Sequence, residues 1–359
     1  MLRTVSLFSG CGGSDYGAKL GGASVVFAND INPHAANTYR EHKKLIASED
    51  VDFREGDIQA IKSFPKCDLL MGCYPCQSFT MGGPRSPSTD PRTKLYREFL
   101  RCLKATNPKF FVVENVAGMK WLEDGRYLQE QLASFIDAGK GYRVSVSVLN
   151  AKDYGVPADR KRVFLVGVRK DLLAWYEFPA PTHGPMAKRP RAHLSHGDAI
   201  AHLPLDADGQ YYQWGSEEFS WWYMSRNRRR QWSEPSLTIV ANWRHLPLHP
   251  ASPTLVLAES DLQRGSFQRW EFTDEYDLPA DQPRLDHPRR LSWRECALLQ
   301  TFPRSLLPTG PLAEKHAQIG NAVPPQLMRA IIKGLVSEAS LTDERPANGY
   351  GPRFYRRAV

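Results

Sequence analysis

Long apolar runs are missing from this chain of 359 residues, none of them approaching the roughly 20 residues that a bilayer-spanning helix needs. A signal-peptide pattern is missing too, because Met1-Leu2-Arg3-Thr4-Val5 enters a strand-like segment directly. Cysteine is scarce: six residues, at 11, 67, 73, 76, 102 and 296, are too few and too unevenly spaced for the disulfide framework of a small secreted protein. The expectation is a cytoplasmic protein without a membrane partner. There is no internal repeat and no acidic excess. Lys and Arg number 47 against 39 Asp and Glu, and the net charge of +8 favours a polyanionic partner without proving one. With 42% hydrophobic and 24% charged residues, the chain has the composition of a globular protein, and its length calls for one large core plus a smaller second unit.

What is present begins with a β-α alternation. Thr4 to Phe8 is a β-prone run ending in Ser9-Gly10-Cys11-Gly12-Gly13, and helix-compatible sequence starts at Tyr16. Ser24 to Ala28 ends at Asn29-Asp30 and is followed by helical sequence over 34–42. The pattern continues with the strand-like 67–72, the amphipathic 95–103, the apolar 110–113, a helix over 127–135, and strands over 142–149 and 162–168. Strands alternating with helices predict a Rossmann-like α/β fold, a mainly parallel sheet flanked by helices. From about residue 175 prolines at 179, 181, 185 and 190 break the periodicity, and a stretch rich in Trp, Arg and Pro follows, with short strand-like pieces at 236–241 and 254–257. Helical pattern returns at 293–300 and 325–336. These borders predict a large domain over 1–175, a smaller irregular β-rich domain over 176–309, helical sequence again within 310–340, and a flexible tail over 341–359.

Several motifs carry chemistry, each with a plainer reading beside it. The first glycine turn brings backbone N–H groups to a strand end, where a nucleotide-like ligand can approach closely. Asp15 stands where the third glycine of a dinucleotide fingerprint would fall, which disfavours a nicotinamide site. Asp30 ends the second strand, where it either accepts ribose hydroxyls or caps the next helix, and Asp57 invites the same two readings. Cys73-Tyr74-Pro75-Cys76 is a redox pair, half of a zinc site, or a turn presenting one nucleophile. A loop-like sequence follows it and no further metal ligands of suitable spacing exist, so no metal is expected. A thiolate suits attack on C6 of a pyrimidine, because it is strongly nucleophilic and a good leaving group. Glu114 ends the apolar run 110–113. It is either a structural glutamate bound to backbone amides or, because burial raises a carboxyl pKa, a proton donor to a ring nitrogen.

Taken in order, Leu7-Phe8-Ser9-Gly10-Cys11-Gly12-Gly13, Gly72-Cys73-Tyr74-Pro75-Cys76-Gln77-Ser78-Phe79, Glu114-Asn115-Val116, Tyr154-Gly155-Val156-Pro157 with Arg160-Lys161-Arg162, Arg294-Glu295-Cys296-Ala297 and Gln318-Ile319-Gly320-Asn321-Ala322-Val323-Pro324 form one series. The series resembles the ordered motif set of the DNA cytosine-5 methyltransferases, over roughly 4–170 and 288–335. The resemblance implies Cys76 as the nucleophile, Glu114 at N3 and the exocyclic amine, and Arg162 at O2, with Arg160 beside it. On an extended strand Arg160 and Arg162 would share one face. It implies S-adenosyl-L-methionine as cofactor, with S-adenosyl-L-homocysteine as product, held by Phe8, Gly10, Gly12, Asp30, Ile31, Asp57, Ile58, Leu95, Asn321 and Val323. It also implies that the target base is flipped out of the duplex, and that the last helix packs back beside the first motif, so that 310–340 joins 1–175 in one discontinuous large domain. Asp30, Tyr74 and Ala158 depart from the family's common Glu, Phe or Pro, and Gln.

The intervening region then reads as a target-recognition domain acting on double-stranded DNA. A run of charge is usually a solvated face, but an arginine fork matches O6 and N7 of guanine in the major groove. Arg228 and Arg230 are spaced for one side of a strand, and Arg244 lies beyond a turn. The segment resembles that of the GGCC-methylating subgroup, which implies a short GC-rich palindrome and a restriction-modification methylase working as a monomer. An RNA cytosine methyltransferase shares the catalytic motifs, and an inactive DNA-binding relative is the other alternative. The arginine-rich insert argues against the first, and Cys76 with Glu114 against the second.

Overall fold

The structure, a computed structural model, describes residues 1–75, 94–206, 219–261, 267–278, 282–338 and 340–350. In chain order the elements begin with β1 (Leu2–Leu7), α1 (Gly13–Leu20), β2 (Ala23–Asp30), α2 (Pro33–Glu41), α3 (Lys43–Ile46), β3 (Asp52–Glu55) and β4 (Leu69–Gly72). They continue with α4 (Tyr96–Thr106), β5 (Phe110–Val116), α5 (Arg126–Ile136), β6 (Tyr142–Asn150), β7 (Lys161–Arg169) and β8 (Trp175–Tyr176). Beyond these come α6 (His196–Ile200), β9 (Leu255–Asp261), β10 (Phe267–Phe272), α7 (Trp293–Leu299), α8 (Leu312–Asn321), α9 (Pro325–Val336), β11 (Leu341–Thr342) and β12 (Gly349–Tyr350). The alternation expected over the first 170 residues is present, and each helix read from periodicity there falls within a few residues of its predicted place.

Contacts divide the chain into two units, one of Met1–Asn150, Lys161–Pro181 and Val323–Val359, the other of Ala151–Arg160 and Thr182–Ala322. The first unit is built on an eight-stranded sheet of order β12-β6-β7-β5-β4-β1-β2-β3. The pairs from β3 across to β5 are all parallel, while β7 runs antiparallel to β5 and β6. This is the Rossmann-like, mainly parallel α/β architecture. Strands buried on both faces need continuous apolar runs, and Phe110 to Val113 supplies one, with all four residues buried. On one face Phe99 of α4 and Phe135 of α5 meet Phe111 of β5 edge-on, with ring centroids 5.4–5.9 Å apart. Each of these buried rings contributes about 1.5–3 kcal/mol relative to exposure. On α1 lies α9, the helix from the far end of the chain.

The second unit holds the antiparallel pair β9 and β10, bulged between Arg269 and Trp270, and the short helices α6, α7 and α8. α7 opens with a capping box: Ser292 Oγ accepts from the Glu295 amide, and the Glu295 carboxylate accepts from the Ser292 amide. Glu295 also receives a two-pronged bond from Arg289, 2.7 and 2.9 Å long, with both side chains buried.

The unit borders differ from those expected. α8 groups with the second unit because Gln300 Nε2 donates to Ile319 O within it, and Gly320 packs against the Val240 backbone. Residues 341–350 carry strands, with β11 pairing with β8 and β12 with β6, where the sequence suggested a flexible tail. Backbone hydrogen bonds hold such a segment even though it has little apolar surface to bury. Of the strand expected over 236–241, only Ser236 pairs, as a bridge to Ala158.

Candidate active site

In the first unit the chain leaves β1 toward β2 on one side, while β4 and β5 lie on the other. The point where strand order reverses is therefore between β1 and β4, and open sheets of this kind bind ligands at the carboxyl ends of the strands there. Three of the motifs leave the sheet at this edge. Leu7 pairs with Gly72 and Gly72 with Val113, so the glycine turn, Cys73-Tyr74-Pro75 and Glu114-Asn115 emerge side by side. Cys76 lies outside the described residues.

The glycine turn is held open by unusual backbone. Phe8, Gly10 and Gly12 take φ values of 58°, 55° and 88°, and for Phe8 that conformation costs about 1–3 kcal/mol. The two glycines differ in purpose. A side chain at Gly10 would meet nothing within 4 Å, leaving room beside its backbone, whereas one at Gly12 would strike Ile46 and Tyr39. Gly10 N–H donates to Asp30 Oδ2 at 2.7 Å and Asn32 N–H to Asp30 Oδ1 at 2.8 Å. Burial raises the Asp30 pKa, and the amides of Asn32, Gly10 and Ile31 oppose the rise. The cap of α2 is Asn32, whose side chain accepts from the amides of His34 and Ala35, so Asp30 is not the capping residue. Asp57 does cap, accepting from Gln59 N at 2.9 Å at the start of a single 3-10 turn whose first residue, Ile58, is buried. Ile31 is 66% exposed next to Asp30, Leu95 packs on the core just ahead of α4, and Val323 is buried beyond α8. Asn321, the last residue of α8, is exposed and belongs to the second unit.

Glu114, almost fully buried, is in an ion pair with Arg162, Nε to Oε1 at 3.0 Å. Burial lowers the Arg162 pKa, and the Glu114 charge restores part of it. Asn115 Nδ2 reaches Tyr74 O at 3.4 Å, which ties the Cys73-Tyr74-Pro75 run to the strand carrying Glu114. The tyrosine at 74 has its own reason: the ring packs on Phe8 and Phe99, and its hydroxyl bonds Gln131. Cys73 is kept as a neutral thiol, its pKa pushed well up by burial and then by the Glu114 charge. Asn115 stands in the Glu114-Asn115-Val116 motif, but its tie to Tyr74, 41 residues away, has no local signal in the sequence.

Arg160 stands just before β7 and does not share the face of Arg162. Its buried guanidinium donates to Ile239 O at 2.7 Å and to Gly320 O and Ala322 O at 2.9 Å, all inside the second unit. The recognition arginines also part company, because 226–231 is not a strand. Arg228 Nε donates to Tyr223 O at 3.0 Å, Arg230 pairs with Glu234 at 3.2 Å, and exposed Arg244 lies over the Trp243 ring. Between the first two, Arg229 points inward and bonds Ser252 O, Pro250 O and Asp277.

The reversal point of this Rossmann-like sheet thus gathers the glycine turn, Asp30 and the buried Glu114-Arg162 pair, the place and the kinds of group that an α/β enzyme uses. The chain belongs to the C-5 cytosine-specific DNA methylase family, whose model matches residues 2–337, and it is therefore a DNA (cytosine-5-)-methyltransferase acting on DNA. It is 35% identical to the Type II methyltransferase M.BsuRI of Bacillus subtilis, over 94% of this chain and 80% of that protein. It is 34% identical to the Type II methyltransferase M.BspRI of Lysinibacillus sphaericus, over 96% of this chain and 84% of that one. Among solved structures, the S. pombe Dnmt2 methyltransferase shares the fold, with a TM-score of 0.62 at 18% identity over 94% of this chain and 99% of that one. Among the described residues no helix is long and apolar enough to cross a membrane.

Proposed function

We propose that this protein methylates C5 of a flipped-out cytosine in duplex DNA through a covalent bond between Cys76 and C6, using S-adenosyl-L-methionine. In this reading it is the modification methylase of a restriction-modification system, as the names of its type II relatives suggest, and its site is a short GC-rich palindrome with GGCC the first choice. The observation that carries the reading is the convergence of three motifs at one strand edge, with Glu114 held 3.0 Å from Arg162. The residues present fit the cofactor. Gly10 borders open room, exposed Ile31 offers an apolar surface to a base, and the Asp30 carboxylate, an acceptor at about four positions, is held at the strand end by backbone amides beside that turn. When bound, the cofactor supplies an electrophilic methyl group.

The chain's own residues do the rest. The Cys76 thiolate adds to C6 and places electron density on C5, which becomes the nucleophile for the methyl group. Glu114 holds N3 and the exocyclic amine, Arg162 fixes the Glu114 carboxylate and offsets charge that builds at O2, and loss of the C5 proton expels Cys76. Arg160 supports this as an anchor, since its charge is committed to three carbonyl groups.

Plasmid DNA incubated with the protein and labelled S-adenosyl-L-methionine, then sequenced at the modified positions, tests the reaction and the site together. Label at cytosine C5 in one short palindrome is expected. Cys76→Ser is expected to abolish turnover and leave DNA binding largely intact, because a hydroxyl is a far weaker nucleophile at neutral pH. Near-normal methylation by that variant would overturn the assignment. A duplex with 5-fluorocytosine at the target should accumulate a Cys76 adduct seen by mass spectrometry, since fluorine cannot leave as a proton does.

A further inference from the structure

Three arginine-bearing segments of the second unit are stitched side by side. Leu248 N donates to Arg228 O at 3.0 Å, Leu248 pairs as a bridge with Arg290, and Leu291 N donates to Pro247 O at 3.0 Å. Tyr223, 1% exposed, stands where they meet. Its carbonyl accepts from Arg228 Nε, and its hydroxyl donates at 2.7 Å to Leu246 O, directly after the Trp243–His245 turn that carries Arg244. Its ring lies under two guanidinium groups, Arg228 at 4.8 Å and Arg290 at 4.1 Å. Phe219 stacks on the ring at 5.0 Å and also receives Arg290 at 4.7 Å. Cations over aromatic faces are stabilised most where water is excluded, and Arg290 is only 5% exposed.

Like charges are thereby brought together. The neighbouring charges acting on Arg290 include Arg228 and Arg244, and those on His245 are Arg228, Arg290 and Arg244. Gathering cations around one buried ring costs folding energy, and a polyanion on the outer side offsets it. Arg290 itself is too enclosed to reach a base, while Arg244 is exposed and Arg228 half-buried.

We propose that Tyr223 and Arg290 are positioning residues for base reading, the Tyr223 ring and hydroxyl fixing Arg228 and the Arg244 turn while Arg290 fills the other part of the ring face. The proposal rests on the reading that Arg228 and Arg244 contact bases.

The test uses the full chain and a duplex library randomised at the target site, with melting temperature and S-adenosyl-L-homocysteine binding as controls. Arg290→Leu is expected to relax preference at the base position that Arg228→Ala relaxes, by about tenfold, with KM for DNA raised and kcat kept. The combined variant is expected to be no less selective than Arg228→Ala alone, and Arg290→Lys to recover part of the preference. Tyr223→Phe keeps the ring and the backbone carbonyl that hold Arg228 and loses the hydroxyl's bonds to Leu246 O and to Arg290, so it is expected to relax the position that depends on Arg244 and to spare the one that depends on Arg228. Uniformly weaker methylation with unchanged preference in Arg290→Leu and Tyr223→Phe, or additive losses in the combined variant, overturns the positioning role. Should Arg290→Leu fail to fold, wild-type preference in both Arg290→Lys and Tyr223→Phe overturns it equally. Unchanged preference in Arg228→Ala and Arg244→Ala overturns the base-reading role beneath it, and the proposal falls with that.

Discussion

Two arginines separated by one residue do different work, and their partners explain why. Arg162 sits within β7 and meets Glu114 across the antiparallel pairing of β5 with β7. Arg160 precedes the strand, and its carbonyl partners lie 79 to 162 residues further along the chain. Glu114 was legible because an apolar run ending in a carboxylate announces a buried strand end. The job of Arg160 was not, because nothing local to 158–162 encodes carbonyl groups so distant in sequence. Arg160→Met is expected to cost about 2–5 kcal/mol of stability, since it strands buried acceptors that share a charged donor. Glu114→Gln preserves shape and an acceptor for Arg162, so its melting temperature should stay close to wild type while kcat falls about 10²–10⁴-fold. Melting curves and single-turnover methylation on the same preparations check both. A catalytic loss without a stability loss in Arg160→Met would return it to direct chemistry.

At the level of elements, the strands and helices of the first unit could be read because each satisfies its own periodicity, as α4 does by burying Phe99, Cys102 and Leu103 along one side. The recognition region could not, since its arginines alternate in fate without alternating in a strand: Arg229 turns inward to Asp277 while Arg228 and Arg230 bond local groups. The glycine turn was legible as a turn, but the separate duties of its glycines depend on α2 and α3. Gly12→Ala places a methyl group against Ile46 and Tyr39 at a φ of 88°, whereas Gly10→Ala meets open space at 55°. The left-handed conformation alone costs about 1–2 kcal/mol in either variant. Calorimetry is therefore expected to show a clearly lower melting temperature for Gly12→Ala than for Gly10→Ala. Titration with S-adenosyl-L-homocysteine is expected to show the greater loss of affinity per degree of melting lost in Gly10→Ala. Equal melting temperatures would remove the packing role assigned to Gly12.

Across the whole molecule, the two units carry buried titratable groups of opposite sense. In the second unit, burial pushes the pKa of His196 down to about 4, that of His249 to about 3 and that of His316 to about 4, from an ordinary 6.5. Unfolded chain takes up these protons as pH falls below 6.5 and the folded unit does not until near 4, so stability is full above 6.5 and is lost progressively toward 4. Glu295, held down to about 2 by His249 and Arg289 against the opposing effect of its burial, loses its contribution only at more acid pH. In the first unit Asp15 accepts from Ser6 Oγ at 2.6 Å and Tyr39 Oη at 2.7 Å, yet its burial raises it to about 6 from 3.8. Here the folded state binds the proton first, so acidification from 6 toward 3.8 adds stability. A shift of one pKa unit corresponds to about 1.4 kcal/mol, which makes the combined histidine effect several kcal/mol and larger than that of Asp15. Hydrogen exchange followed by mass spectrometry at pH 7 and pH 5, corrected for intrinsic exchange rates, is expected to show protection falling over 182–322 while the segments around Ser6, Asp15 and Tyr39 hold or gain. His316→Gln and His196→Asn should each flatten the fall over 182–322. An equal fall in both units, unaffected by these substitutions, would show that the buried histidines do not set the acid limit of the protein.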